Sequence, residues 1–136
     1  MKKEIGFEVQ LDQPYDKAIE AIKSALKSEG FGVLTEIDVR ATLQEKLGED
    51  FRPYAILGAC NPPLAYRALS QDPLVGLMLP CNVTVEGDPG GGSIIRLANP
   101  ELMLAASNLQ DNSELIKVAF EVRERVERVA NKLREL

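Results

Sequence analysis

The sequence predicts an α+β domain: one sheet with helices packed on one face, in the order β-α-β, three further strands, then a long closing helix. Three observations carry that prediction. Ile5, Phe7, Val9 and Leu11 alternate with Glu4, Gly6, Glu8 and Gln10, the period of a half-buried strand. Tyr54 to Cys60 is nearly all apolar, as in an interior strand. Leu115, Ala119, Val122, Val126, Val129, Leu133 and Leu136 recur four and three apart, and Ile116, Val118, Phe120 and Ala130 widen the stripe. So wide an apolar face fits a helix lying on a sheet better than an isolated coiled coil.

The remaining elements follow in order. Pro14 opens a first helix with Asp12 or Gln13 as its cap. Ala18, Ile19, Ile22, Ala25 and Leu26 share one face, and Gly30 suits the stop. Val33, Thr35, Ile37 and Val39 form a second alternating set, with Glu36 and Asp38 facing water. A short helix over Ala41 to Leu47 carries Leu43 and Leu47 four apart, and Leu64 to Leu69 is another. Leu77 to Glu86 and Ser93 to Ala98 read as paired strands joined by the hairpin loop Gly87-Asp88-Pro89-Gly90-Gly91-Gly92. Asn99-Pro100 caps a short helix over Glu101 to Ala106. Asp111 and Glu114 have capping-box spacing ahead of the last helix, whose outer face offers Glu121/Arg125 and Glu124/Arg128 pairs. With no linker, solenoid repeat or low-complexity tract, residues 1–136 read as a single domain.

Composition limits function. The net charge is −5, from 16 basic and 21 acidic residues, with no basic stripe to reward nucleic-acid phosphates or anionic membranes. No apolar run approaches a membrane span, and the start Met1-Lys2-Lys3-Glu4 leads into alternation, not a signal-peptide core. The expected location is therefore the cytoplasm, where the two cysteines, Cys60 and Cys81, would be thiols. The sequence contains no histidine, which removes Ser-His-Asp and Cys-His catalysis and His-ligated zinc or haem together. No cofactor and no metal site is called for, since two thiolates make only half a tetrahedral zinc site unless a dimer supplies the rest.

Chemistry, if any, centres on the cysteines. Gly58-Ala59-Cys60-Asn61-Pro62-Pro63 ends one strand and Leu79-Pro80-Cys81-Asn82-Val83 lies near the start of the next long one. If those strands pair antiparallel, both sulfurs lie at one edge of the sheet. Pro62, as cap, would start a helix whose free N–H groups could lower the pKa of Cys60, although two prolines remove two donors. The competing reading is two small, inert core residues. Pro89 to Gly92 lacks the ending of a phosphate loop and leads into a strand, so it reads as a turn. Glu4, Glu8, Glu36 and Asp38 would be acids or bases only if gathered in a cleft. Tyr54 and Tyr66 could bring hydroxyls near Cys60.

The pattern Tyr54-x-Ile56-Leu57-Gly58-x-Cys60-Asn61-Pro62, then Asp72-Pro73, then Gly76-Leu77-x-Leu79-Pro80-Cys81-Asn82-Val83 resembles the prokaryotic family catalogued as domain of unknown function 302. The resemblance implies a curved antiparallel sheet in the order β-α-β(4)-α, like half of a TATA-binding-protein fold, and a homodimer. It carries no established activity. Its signature matches Gly58, Cys60, Asn61, Pro62, Pro80, Cys81 and Asn82 here. The expectation is a homodimeric protein with a small thiol-centred ligand pocket. Cys60 would be the nucleophile and Cys81 the second thiol, with Gly58, Asn61, Pro62, Pro80 and Asn82 around the ligand. An interaction module with structural cysteines and a soft-metal carrier are the alternatives, and whether the chain is an enzyme stays open.

Overall fold

The computed structural model describes residues 4–136, so the charged start at Met1-Lys2-Lys3 lies outside the described residues. Strands β1 (Gly6–Leu11), β2 (Gly32–Asp38), β3 (Tyr54–Cys60), β4 (Cys81–Gly87) and β5 (Ser93–Ala98) form one antiparallel sheet in the order β1-β5-β4-β3-β2. Helices α1 (Tyr15–Ser28), α2 (Val39–Leu47), α3 (Pro62–Gln71), α4 (Pro100–Ala105) and α5 (Ser113–Arg134) complete it, with a 3-10 turn over Pro73–Met78. The fold is α+β, with β-α-β(4)-α as its skeleton.

The pleat sends alternate residues to opposite faces. Val9 and Leu11, Ile95 and Leu97, Val83 and Val85, and Ala55, Leu57 and Ala59 all turn to the helix side, where they are buried. Ile22 and Leu26 of α1 and Val126, Val129 and Leu133 of α5 close over them. The long apolar stripe of α5 is thus the lid of the core; of the residues that widen it, Val118 and Ala130 are buried with it, while Ile116 and Phe120 are exposed. Leu136 falls off the end of it and is exposed.

Five local expectations are corrected. First, Pro14 caps α1 with no side-chain bond, because its fixed φ already suits a helix start. Second, β2 slips register between Val33 and Thr35, with Leu34 as the extra residue. Glu36 then lies opposite Leu57 and Asp38 opposite Ala55, on the helix side, where both are still exposed to water as expected, while Thr35 and Ile37 go to the open face. Val39 starts α2, which Asp38 caps through the Ala41 N–H at 2.9 Å. Third, Leu77 to Pro80 is not strand. Asp72 caps the 3-10 turn through Leu74, and Pro80 has no N–H for a ladder. Fourth, Asn61, not Pro62, caps α3. Fifth, Asn112 caps α5 at 3.0 Å from the Leu115 N–H. Glu114 bonds Arg67 of α3 at 2.8 Å instead of closing a capping box, and Arg128 pairs with Glu29 instead of Glu124.

The face opposite α1 and α5 carries a row of ion pairs across the strands. Glu8 meets Arg96 at 3.1 Å, Arg96 meets Glu86 at 2.7 Å, and Arg52 closes on Glu86 from the far side. Among the described residues no helix is long and apolar enough to cross a membrane.

Candidate functional site

Strand β3 runs antiparallel to β4 with Ala59 opposite Cys81, so the end of one strand and the start of the next do share a sheet edge. Cys81 has the parity of Ala59 and packs against the core on the helix side. Cys60, one residue on, has the parity of Gly58 and pairs with Gly32. At this strand end both cysteines contribute to the wall of one small cavity of about 40 Å³, with Phe31, Leu64, Leu79 and Val122.

A second cavity of about 80 Å³ adjoins it and shares Ala68, Leu79, Cys81, Val118 and Val122. Its floor is α5, through Leu115, Val118, Ala119 and Val122. Ala68 with Val75 and Met78 of the 3-10 turn forms one side, and Pro100, Met103 and Leu104 of α4 the other. Arg67 ties α3 to α5 at Glu114, and Arg123 ties α5 to α4 at Glu101 at 2.5 Å, so ion pairs hold both sides over the floor. Cys81 sits on the wall common to the two cavities.

Electrostatics leave the Cys81 thiol unactivated. Burial, and then the nearby Cys60, push the Cys81 thiol up to about 11. Roughly one molecule in ten thousand then holds it as thiolate at neutral pH. The amino end of α3 has no donor to spare for Cys60: Pro62 and Pro63 have no N–H, the Leu64 N–H goes to Asn61 Oδ1 at 3.3 Å, and the Ala65 N–H to Asn61 O at 2.9 Å.

The other signature residues have visible structural duties. Buried Asn61 caps α3 and donates through Nδ2 to the Glu29 carbonyl at 3.4 Å, where Arg125 also donates at 3.1 Å. Gly58 leaves room on the open face for Thr35 and the Pro80 ring: a Cβ there would collide with Thr35 Oγ1 and come within 2.7 Å of Pro80 Cγ. Asn82 pairs with Gly58 and is exposed on the open face, and Pro62 occupies the first turn of α3.

The carboxylates are not gathered in a cleft. Glu8 pairs with Arg96 on the open face and Glu36 with Lys23 at 2.7 Å on the helix side. Tyr66 points into solvent at 75% exposure. The glycine-rich loop is a hairpin turn, closed by the Asp88 N–H on the Gly92 carbonyl at 2.8 Å. Sequence reasoning missed Met78, Met103 and the α5 floor as a shared wall. Their only signal was that both internal methionines fall within segments that read as strand (Leu77 to Glu86) and short helix (Glu101 to Ala106).

The family model described as Domain of unknown function DUF302 matches residues 7–133. Three chains of solved structures match significantly. One is the crystal structure of uncharacterized conserved protein DUF302 from Bacillus stearothermophilus. It is 32% identical, with a TM-score of 0.85 over 97% of this chain and 100% of that one. No curated protein matches significantly.

Proposed function

Since the chain belongs to the DUF302 family, a domain of unknown function, we propose from its site geometry that it is a ligand-binding domain whose site is the paired cavity flanking Cys81. The observation that carries this reading is the uniform wall of the larger cavity: thirteen residues from five elements and the turn beside them converge on it, and none is charged. Such a space suits a small group that is uncharged once bound. The thiols are contact groups in this reading. Cys81 is held protonated, and beside Cys60 the first N–H groups of α3 are missing at the prolines or bonded to Asn61, which favours binding over nucleophilic catalysis.

Methyl-resolved NMR with benzene or indole as probe tests it. The expected result is shifts confined to Leu104, Leu115, Val118 and Val122 at millimolar probe, and their loss when Ala68→Leu fills the shared wall. Silence at those methyls, or shifts that persist in the filled variant, overturns the reading.

A specific observation favours a homodimer as the state in which the domain works. Helix α2 buries none of its residues, and Leu34, Ile37 and Leu47 beside it are 68%, 47% and 67% exposed along the free edge of β2. Helix α2 carries exposed Glu45 together with exposed Arg40 and Lys46, so two copies related by a two-fold axis can match charge to countercharge.

A further inference from the structure

We propose, resting on the cavity reading above, that the ligand is a soft monovalent metal cation, Cu(I), held by the sulfur atoms of Cys81, Met78 and Met103. The described residues contain four sulfurs, those of Cys60, Met78, Cys81 and Met103. The four residues that carry them all contribute to the lining of the paired cavity: Met78, Cys81 and Met103 to the larger part, Cys60 and Cys81 to the smaller. They arrive from the end of β3, the 3-10 turn, the start of β4 and α4, which is why no short cysteine motif announces them.

The donor set is purely soft. The larger cavity has no carboxylate on its wall, the chain has no histidine, and no group of three or more His, Cys, Asp or Glu among the described residues could hold a metal ion. Thiolate and thioether ligands without oxygen or imidazole select Cu(I) over magnesium, calcium or manganese. Charge agrees as well. On binding, the Cys81 S–H bond breaks, the S–Cu bond forms and the proton leaves to solvent. A cation and a thiolate together are neutral, which a wall of Leu, Val and Ala accepts at far lower cost than a bare ion. Copper enters and stays as Cu(I), so no electron acceptor is needed. Met103 is 39% exposed, which opens a route from the α4 side, and the unbranched methionine chains can swing their sulfurs onto the ion.

The test is anaerobic titration of the reduced protein with Cu(I) against a chromophoric Cu(I) chelator. One equivalent should be taken from the chelator, with none taken up from Zn(II) at the same concentration. Met78→Leu and Met103→Leu keep volume and apolarity while deleting the thioether. Each should weaken Cu(I) by about tenfold or more, the scale on which even supporting groups of a metal site act. Cys81→Ser should abolish uptake and Cys60→Ser should leave it. Benzene shifts in the methionine variants report that fold and cavity survive. No competition with the chelator, uptake indifferent to both Met→Leu changes, or uptake lost only with Cys60→Ser overturns the metal assignment. If benzene still binds in that event the cavity reading stands alone, and if it does not, both fall.

Discussion

Asn61 and Asn82 follow the two cysteines in matching sequence contexts, yet their amides do unrelated work. Asn61 is buried and joins three things: the first turn of α3, the carboxyl end of α1 and, through the shared Glu29 carbonyl, Arg125 of α5. Asn82 faces water on the open sheet. Asn61→Ala strands a buried Leu64 N–H and should cost about 2 kcal/mol. Asn82→Ala should change stability by less than about 0.5 kcal/mol. Urea denaturation of both variants checks the contrast, and equal effects would contradict the assigned roles. Gly58→Ala belongs beside them, since its methyl would be driven against Thr35 and Pro80. A loss of about 1–3 kcal/mol is expected from that overpacking, and Thr35→Ala in the same chain should restore part of it. The Cys-Asn repeat was legible in the sequence, but the difference between its two copies was not. Asn61 is buried by residues more than thirty positions away, and spacing carries no trace of that.

At the scale of elements, the sequence was most readable where one periodicity ran uninterrupted and least where a single residue reset it. The stripe of α5 places its buried face correctly from Leu115 to Leu133. In β2 the alternation looked equally clean, but Leu34 bulges out and every later side chain changes face. The same step brings Glu36 within 2.7 Å of Lys23 on α1. Caps moved by one residue for a related reason: Asn112 and Asn61 bond their own helices, while Glu114 finds a better partner in Arg67 across a helix interface. The contact between α1 and α5 also sets the response to acid. Burial alone would raise the Glu29 carboxyl, but hydrogen bonds from Lys132 and Arg128 outweigh it and hold it below 4.5. Hydrogen bonds from Arg96 and Arg52 hold Glu86 below the same value against burial. Both carboxyls bind protons more weakly folded than unfolded. The stability they lend is therefore complete above about pH 4.5 and drains away as pH falls through their lowered folded values. Glu29→Gln and Glu86→Gln should each be less stable than the parent at pH 7, with the gap closing toward pH 3. Denaturation midpoints across that range provide the measurement, and a gap that stays constant would show that neither carboxyl is the linked group.

At the scale of the molecule, the class of fold could be read because strand and helix periods alternate along the chain, while the site could not, because no single segment contains it. The cavity exists only where β4, β5, the 3-10 turn, α3, α4 and α5 meet, and strand order β1-β5-β4-β3-β2 is what brings them together. That order also leaves β2 as a free edge, and the two edges are treated differently. On β1 the Arg134 guanidinium donates to the Glu8 carbonyl at 3.1 Å, so the end of α5 occupies part of that border. Along β2 a bulge interrupts the strand, but its exposed neighbours are Leu34 and Ile37, with the helix α2 that buries nothing. An uncovered edge with apolar side chains invites pairing, and natural sheets usually blunt such edges with charge or proline. A second copy covering this border would bury Leu34, Ile37 and Leu47 at once and give α2 a packing partner. Light scattering on the eluting protein should therefore report a dimer at micromolar concentration. The double change Leu34→Lys with Ile37→Lys should give a monomer whose benzene shifts at Val118 and Val122 are intact, because the cavity lies on other elements. A parent protein that elutes as a monomer, or a dimer that survives both lysines, removes the β2 border from the assembly and leaves α2 without a reason to be helical beyond its Asp38 cap and Gly48 stop.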